Sequence, residues 1–303
     1  MIHETEIVEA VQERLGEGYE VNLKLVTKTN NQARIGVMIT DKKTENITPV
    51  ICPIIYLEGF IDEIKAGRMS LQDAVNEILG MYDKSKGKHL VQIINNMDRE
   101  EFLQRIIPQA VSRENNTELL GNVPHKELLD IAIIYRCELE MNHGEMESFI
   151  VTNENLGLWD VTLKELDMAA KRNVTYKRPY HIYPMDSILK NLLLDNHIEK
   201  SDIPTGRSRC EMYAVTNEGM IYGASVLDSP EIFGKLAKKL SGNLLILPSS
   251  LYEVIAIPET GNEDIASLRQ TVMDINHSQL EPEEVLSNQV YRYNMNTEIL
   301  EIV

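Results

Sequence analysis

A chain of 303 residues with 43% hydrophobic and 25% charged residues has the composition of a folded globular protein and suits about two domains. Lys and Arg number 30 against 47 Asp and Glu, and the formal charge of −17 disfavours direct binding to nucleic acid or to an anionic membrane. No apolar run approaches the roughly 18 residues of a spanning helix, and the charged N-terminus is unlike a secretory signal, so a cytoplasmic location is expected.

The first predicted unit, residues 1–84, contains a helix, a hairpin and a second helix. Hydrophobic periodicity predicts a helix at 5–15, strands at 19–26 and 33–39, and a helix at 70–82. The last helix is the clearest, because Ser70 and Asp73 form a capping-box pattern at its start. We place the domain boundary at the charged segment 84–88, so that the second, larger unit comprises residues 85–303.

The second unit alternates short strands with helices. Its predicted helices lie at 97–107, 115–120, 162–171, 185–194, 230–240 and 265–275. Its predicted strands lie at 128–139, 148–152, 222–227, 244–247, 254–257, 290–293 and 299–303. The ββα order is typical of antiparallel proteins rather than of a parallel, doubly wound sheet. The predicted fold class is therefore α+β, with antiparallel sheets of short hairpins and interleaved helices.

One four-residue sequence occurs twice at predicted strand ends. Val-Thr-Asn-Glu stands at 151–154 and again at 215–218, and a helix follows each copy, the second after an additional strand. Two interpretations stay open: an internal repeat of a strand-turn-strand-helix unit, or shared turn chemistry, since Asn favours left-handed turn positions. Asn153 and Asn217 could line a pseudo-symmetric site, or they could simply be turn residues.

The most apolar segment, residues 244–258, predicts two buried strands joined by a tight turn. Ser249, Ser250 and Glu253 are its polar group, and a serine pair beside a carboxylate could bind a ligand or supply an activated hydroxyl. The alternative is that the hydroxyls bond to the turn backbone and that Glu253 pairs with a neighbour. The candidate ligand-binding residues of the chain are Ser249, Ser250, Glu253, Asn217 and Asn153.

Several common catalytic motifs are absent from the sequence. Neither type of glycine-rich phosphate loop occurs, HExxH and GxSxG are missing, and the three cysteines are too far apart for a zinc ribbon or a redox pair. His125 and Glu127 have the spacing of half a zinc deaminase motif, without its paired cysteines. His125 follows Pro124 and is instead expected at the start of a possible helical turn or exposed on the surface. The sequence therefore predicts no cofactor, no metal and no catalytic residue, and whether the protein is an enzyme stays open.

Four regions of the chain resemble a known family. They are NVPHKELLDIAIIYR at 122–136, VTNENLGLWDVTLKELDMAAKRN at 151–173, YGASVL at 222–227 leading to LLILPSSLYEVIAIP at 244–258, and EEVLSNQVYRY at 283–293. On these segments the chain resembles the DUF5688 family, uncharacterised bacterial proteins found mainly in Firmicutes. Tyr252 stands where that family often has His, which argues against a Ser-His scheme on the hairpin. The resemblance implies a bacterial cytoplasmic protein and no activity.

Three functions remain open on this sequence. The leading one is a non-enzymatic interaction or accessory protein, because catalytic motifs are missing and an acidic surface suits a basic protein partner. The second is a small-molecule enzyme or sensor with a pocket near Ser249, Ser250 and Glu253. The third is an acidic DNA mimic with an anti-defence role. The oligomeric state does not follow from the sequence.

Overall fold

Helices and short antiparallel strands alternate along the computed structural model, which describes residues 3–44, 54–85, 96–140, 146–188, 211–248 and 250–303. This confirms the predicted α+β class with antiparallel sheets. The chain divides into two units. The first comprises Met1–Asp98 and Leu139–Glu147, and the second comprises Arg99–Glu138 and Ser148–Val303. In the described part of the chain, no helix is both long and apolar enough to cross a lipid bilayer.

The regular elements are numbered here in chain order. The helices are α1 Glu4–Leu15, α2 Glu58–Lys65, α3 Leu71–Ser85, α4 Arg99–Gln104, α5 Thr117–Asn122, α6 Asn153–Trp159, α7 Leu163–Lys177, α8 Pro230–Leu240 and α9 Ile265–Gln279. The strands are β1 Tyr19–Thr27, β2 Ala33–Asp41, β3 Ile54–Tyr56, β4 Ile106–Ser112, β5 His125–Leu128, β6 Ile131–Glu140, β7 Met146–Ile150, β8 Tyr180–Pro184, β9 Tyr213–Asn217, β10 Leu244–Leu247, β11 Val254–Pro258, β12 Tyr291–Asn294 and β13 Ile299–Ile302.

The first unit contains a three-stranded sheet in the order β1-β2-β3. The strands β1 and β2 pair along their whole length, from Tyr19 opposite Asp41 to Thr27 opposite Ala33. Alternation along these strands turns one face towards α1 and α3, and a buried apolar core forms there. The predicted hairpin and helices are confirmed, and the hydroxyl of Ser70 caps α3 by accepting from Asp73 N at 3.1 Å.

The second unit contains two antiparallel sheets. Six strands follow the order β13-β12-β10-β11-β9-β8, while β6 lies in the middle of a four-stranded sheet with β4, β5 and β7. Helix α7 packs on β4. The 3-10 helix Gly223–Asp228 packs on β4 of the smaller sheet and on β9 of the larger one. This short helix therefore links the two sheets, and its last residue faces the candidate site.

Three local predictions for this unit are wrong. The segment predicted as a strand at 222–227 is the 3-10 helix, and the preceding Tyr222 has a left-handed backbone with φ 52°. The predicted helix at 97–107 ends at Gln104, because the next residues pair with β6, and β4 tolerates Pro108 as an edge strand. His125, predicted near the start of a helix, pairs with Ile134 in the sheet.

The two Val-Thr-Asn-Glu copies have different local structures. In the first, Thr152 is the N-cap of α6 and its hydroxyl accepts from Asn155 N. In the second, the first three residues belong to β9, and the Thr216 hydroxyl donates to the Tyr252 carbonyl at 2.6 Å. The predicted helix at 185–194 is helical at 185–188, and its remaining residues lie outside the described residues.

Candidate functional site

A cavity of about 430 Å³ lies in the second unit, where α7, β8, the 3-10 helix and the start of α8 meet. This volume is in the range of small-molecule sites. Apolar side chains of α7 and α8 form part of the wall. Its charged and hydroxyl-bearing residues are Asp167, Lys171, Thr175, Tyr180, Ser225, Asp228, Ser229, Glu231 and Lys235. The cavity therefore combines an apolar surface with groups that carry charges of both signs.

Asp228 is the central charged residue of this wall. It ends the 3-10 helix, and its side chain is only 11% exposed. Lys126 from β5 places its Nζ 2.5 Å from Oδ1, and Lys171 from α7 places its Nζ 3.2 Å from Oδ2. One nearly buried carboxylate is thus held by ammonium groups from two separate elements.

A second carboxylate, Asp167, extends the same cluster. It lies one turn before Lys171 on α7, with Oδ2 3.4 Å from the lysine Nζ. The buried hydroxyl of Tyr135 donates to Asp167 Oδ1 at 3.0 Å. Burial, together with the negative charge of Asp167, raises the pKa of Tyr135 above its usual range, so this phenol stays protonated and keeps donating.

The protonation of the remaining wall groups follows from their partners. Burial would lower the pKa of Lys171, but the charges of Asp228 and Asp167 outweigh it and raise that pKa, so the side chain is an ammonium.

The Ser225 hydroxyl donates to the Tyr222 carbonyl at 2.7 Å. Its oxygen therefore accepts from the Tyr180 hydroxyl, 3.0 Å away. Burial also raises the pKa of Tyr180.

A protein-family model described as "Family of unknown function (DUF5688)" matches residues 2–295 of the chain. The chain belongs to this family. The match confirms the resemblance seen in the sequence and extends over nearly the whole chain. No curated protein and no solved structure is significantly similar to the chain.

Some residues of this site in the DUF5688 protein lie in the segments that carry the resemblance. Asp167 and Lys171 come from 151–173 and Ser225 comes from 222–227, while Lys126, which pairs with Asp228, comes from 122–136. Sequence reasoning missed these residues. Their one local signal is the four-residue spacing of Asp167 and Lys171, which is also common on solvated helix faces.

The sequence-predicted site residues lie elsewhere. Ser249 is outside the described residues. Ser250 is buried in the turn between β10 and β11, where its hydroxyl donates to Glu253 at 3.1 Å and accepts from Tyr252 N at 3.0 Å. The structure thus brings Ser250 and Glu253 together, and none of the described candidates lines the cavity.

The two asparagines of the candidate set have separate positions. The Asn217 side chain is buried at the end of β9, donates to the Ile221 carbonyl at 2.7 Å and accepts from Ile221 N at 3.0 Å. Its neighbour Thr216 bonds to the Tyr252 carbonyl, so Asn217 lies beside the β10–β11 turn. Asn153 is exposed as the first residue of α6. In the described part of the chain, no three His, Cys, Asp or Glu side chains are placed to hold a metal ion.

We expect Glu253→Gln to raise stability at neutral pH. Burial raises the pKa of Glu253 above its ordinary 4.5, and the negative charge of Glu284 raises it further. The hydrogen bond from Ser250 lowers this pKa but does not outweigh the effect of burial. The folded chain therefore binds this proton more tightly than the unfolded chain, and stability falls as the pH rises from about 4.5 through the folded pKa. Without that ionisation, the variant should be more stable than the wild type at pH 7.

Urea unfolding over a pH series measures this effect through the fluorescence of Trp159, the only tryptophan, which is buried in the second unit. Glu263→Gln is the control of opposite sign. Bonds from Thr260 and the nearby backbone lower the pKa of Glu263 to about 2, so its stabilising contribution is present above pH 4.5 and is lost towards pH 2. Reduced stability of Glu253→Gln at pH 7 would contradict the expectation.

Proposed function

We propose that this protein binds a small polar molecule in the cavity of its second unit, as a cytoplasmic ligand-binding protein. One observation carries the proposal: the nearly buried carboxylate of Asp228, held by Lys126 and Lys171, forms part of the wall of a 430 Å³ cavity. The proposal keeps the small-molecule hypothesis and moves its pocket from the β10–β11 turn to this cavity.

A purely structural role accounts poorly for this cluster. Charged groups lose hydration when they are buried, and apolar residues of similar volume often give equal or greater stability than a buried ion pair. Charged side chains gathered in a cleft are, by contrast, typical of sites that recognise polar ligands. The cluster draws Lys126, Lys171 and Asp228 from three different elements, so the tertiary fold places it at the cavity.

The β10–β11 turn is connected to this cavity through the 3-10 helix. Ala224 N donates to the Leu251 carbonyl at 3.2 Å, and the same helix ends at Asp228. Ser250 and Glu253 therefore belong to a turn that bonds to this helix, and neither of them lines the cavity. The basic protein partner and the DNA-mimic role, which rest on composition alone, stay predictions.

Filling the cavity is expected to abolish ligand binding. Ile232 of α8 is half-buried and lines the cavity, so Ile232→Trp places an indole in the space that a ligand would use. Ile275→Trp is the matched control, because Ile275 is 42% exposed on α9. A ligand present at about 100 times its Kd should stabilise a competent protein by about 2.7 kcal/mol.

Thermal unfolding with a panel of amino acids, amines, carboxylic acids, sugars and phosphate esters measures this stabilisation by ligand. At least one compound should raise the Tm of the wild type and of Ile275→Trp, but not that of Ile232→Trp. Equal shifts in Ile232→Trp would place binding elsewhere on the protein. A panel without any stabilising compound would contradict the proposed function.

A further inference from the structure

We infer that the cavity binds a small zwitterion of the amino-acid class, with one ammonium and one carboxylate group on an aliphatic body. This inference rests on the proposed function and specifies its ligand. It follows from which polar groups of the wall already have partners, which remain free, and how their charges balance.

The inner charges of the cavity are already balanced. The two oxygens of Asp228 accept from Lys126 and Lys171, while Asp167 accepts from Tyr135 and also faces Lys171. Two carboxylates therefore meet two ammonium groups. A ligand of single charge would add an uncompensated charge to this partly buried cluster, which is costly. A zwitterion adds no net charge.

The free groups of the wall carry one charge of each sign. Glu231 and Lys235 are one turn apart on α8, both are exposed, and neither forms an ion pair within the described residues. Lys171 has three N–H donors and two carboxylate partners, so one donor remains. A ligand carboxylate can thus bind the ammonium groups of Lys171 and Lys235, and a ligand ammonium can bind Glu231.

The hydroxyl groups of the wall also favour a ligand that carries an ammonium group. The proton of Tyr180 is used in the bond to Ser225, whose own proton is used in the bond to the Tyr222 carbonyl. The Tyr180 oxygen therefore offers the cavity only an acceptor, which suits an ammonium group. Val174 and Ile232 supply the apolar wall for an aliphatic side chain.

Isothermal titration calorimetry with three related probes tests this assignment on the 303-residue chain. L-leucine carries both charges, isocaproate keeps only the carboxylate, and isoamylamine keeps only the ammonium. We expect leucine to bind at least about tenfold more tightly than either analogue. Lys235→Met should weaken leucine and isocaproate, and Glu231→Gln should weaken leucine and isoamylamine. Both residues are exposed, so both variants should fold.

Matched substitutions outside the cavity are Lys164→Met and Glu118→Gln, which should leave all three affinities unchanged. A single-charge analogue that binds as tightly as leucine would overturn the zwitterion and leave the proposed function intact. The zwitterion would also be overturned, and the proposed function left intact, if none of the three probes binds while another compound of the panel stabilises the wild type but not Ile232→Trp. If neither the probes nor the panel bind, both the inference and the proposed function are wrong.

Discussion

Asp228→Asn is expected to lower the free energy of unfolding of the second unit by about 2 kcal/mol. Breaking a buried ion pair leaves an uncompensated charge and costs several kcal/mol. The substitution leaves Lys126 facing a neutral amide without a carboxylate partner, and it leaves Lys171 with Asp167 alone. The two lysine side chains are 38% and 45% exposed, so water screens both and reduces the loss.

Urea unfolding followed by Trp159 fluorescence measures this loss in the second unit, since that indole stacks on Phe102 with ring centroids 4.0 Å apart. Asp274→Asn, at an exposed position on α9, is the matched control and should change stability by less than about 0.5 kcal/mol. The double variant with Lys126→Met should recover part of the loss, because it removes the ammonium group that Asp228→Asn leaves without a carboxylate partner. A loss for Asp228→Asn no larger than that of the control would show that the cluster is not coupled to folding.

Gly223→Ala is expected to destabilise the second unit by about 3 kcal/mol or more. A Cβ at this position would overlap the Thr216 hydroxyl oxygen and the Tyr252 carbonyl oxygen, and would lie 3.0 Å from Asn217 N. The backbone φ of Gly223 is outside the left-handed region, so the cost is steric rather than conformational. Two of these three contacts are backbone atoms, one at the end of β9 and one in the β10–β11 turn, so relief of the overlap requires the backbone to shift.

Gly157→Ala is the matched control in the same unit. Gly157 lies within α6, and a Cβ there would meet no atom within 4 Å. Alanine has the higher helix propensity, so this variant should gain about 0.5–1 kcal/mol. Both variants can be compared by urea unfolding with Trp159 fluorescence. Stability of Gly223→Ala within about 1 kcal/mol of the wild type would mean that the 3-10 helix can shift away from the sheet.

The Gly223 contact also bears on the cavity. It sets the distance between the 3-10 helix and the β10–β11 turn, and the same helix presents Ser225 and Asp228 to the cavity. A displaced helix should therefore weaken ligand binding as well as stability. Gly223→Ala should lose both stability and ligand binding, whereas Ile232→Trp should lose ligand binding alone. This difference would distinguish a residue that supports the 3-10 helix from a residue that lines the cavity.

Elements with local signals could be predicted from the amino-acid sequence. The alternation in β1 and β2, the capping box of Ser70, and the apolar runs on either side of Ser250 predicted strands, a helix and a hairpin that the structure contains. Each of these signals depends on residues within a few positions of one another. Backbone periodicity and short-range hydrogen bonds therefore suffice to specify them.

The candidate site, by contrast, depends on contacts between elements that are far apart in the sequence. Lys126 and Asp228 are 102 positions apart, and each is an ordinary surface-type residue when read along the chain. Their contact depends on β5 and the 3-10 helix meeting beside α7, which follows from sheet order and packing rather than from local pattern. The hydroxyl-rich turn at Ser250 is recognisable in the sequence because its residues are neighbours along the chain. The charged cluster around Asp228 has no such local signal, because the cavity is formed by elements that are distant in sequence.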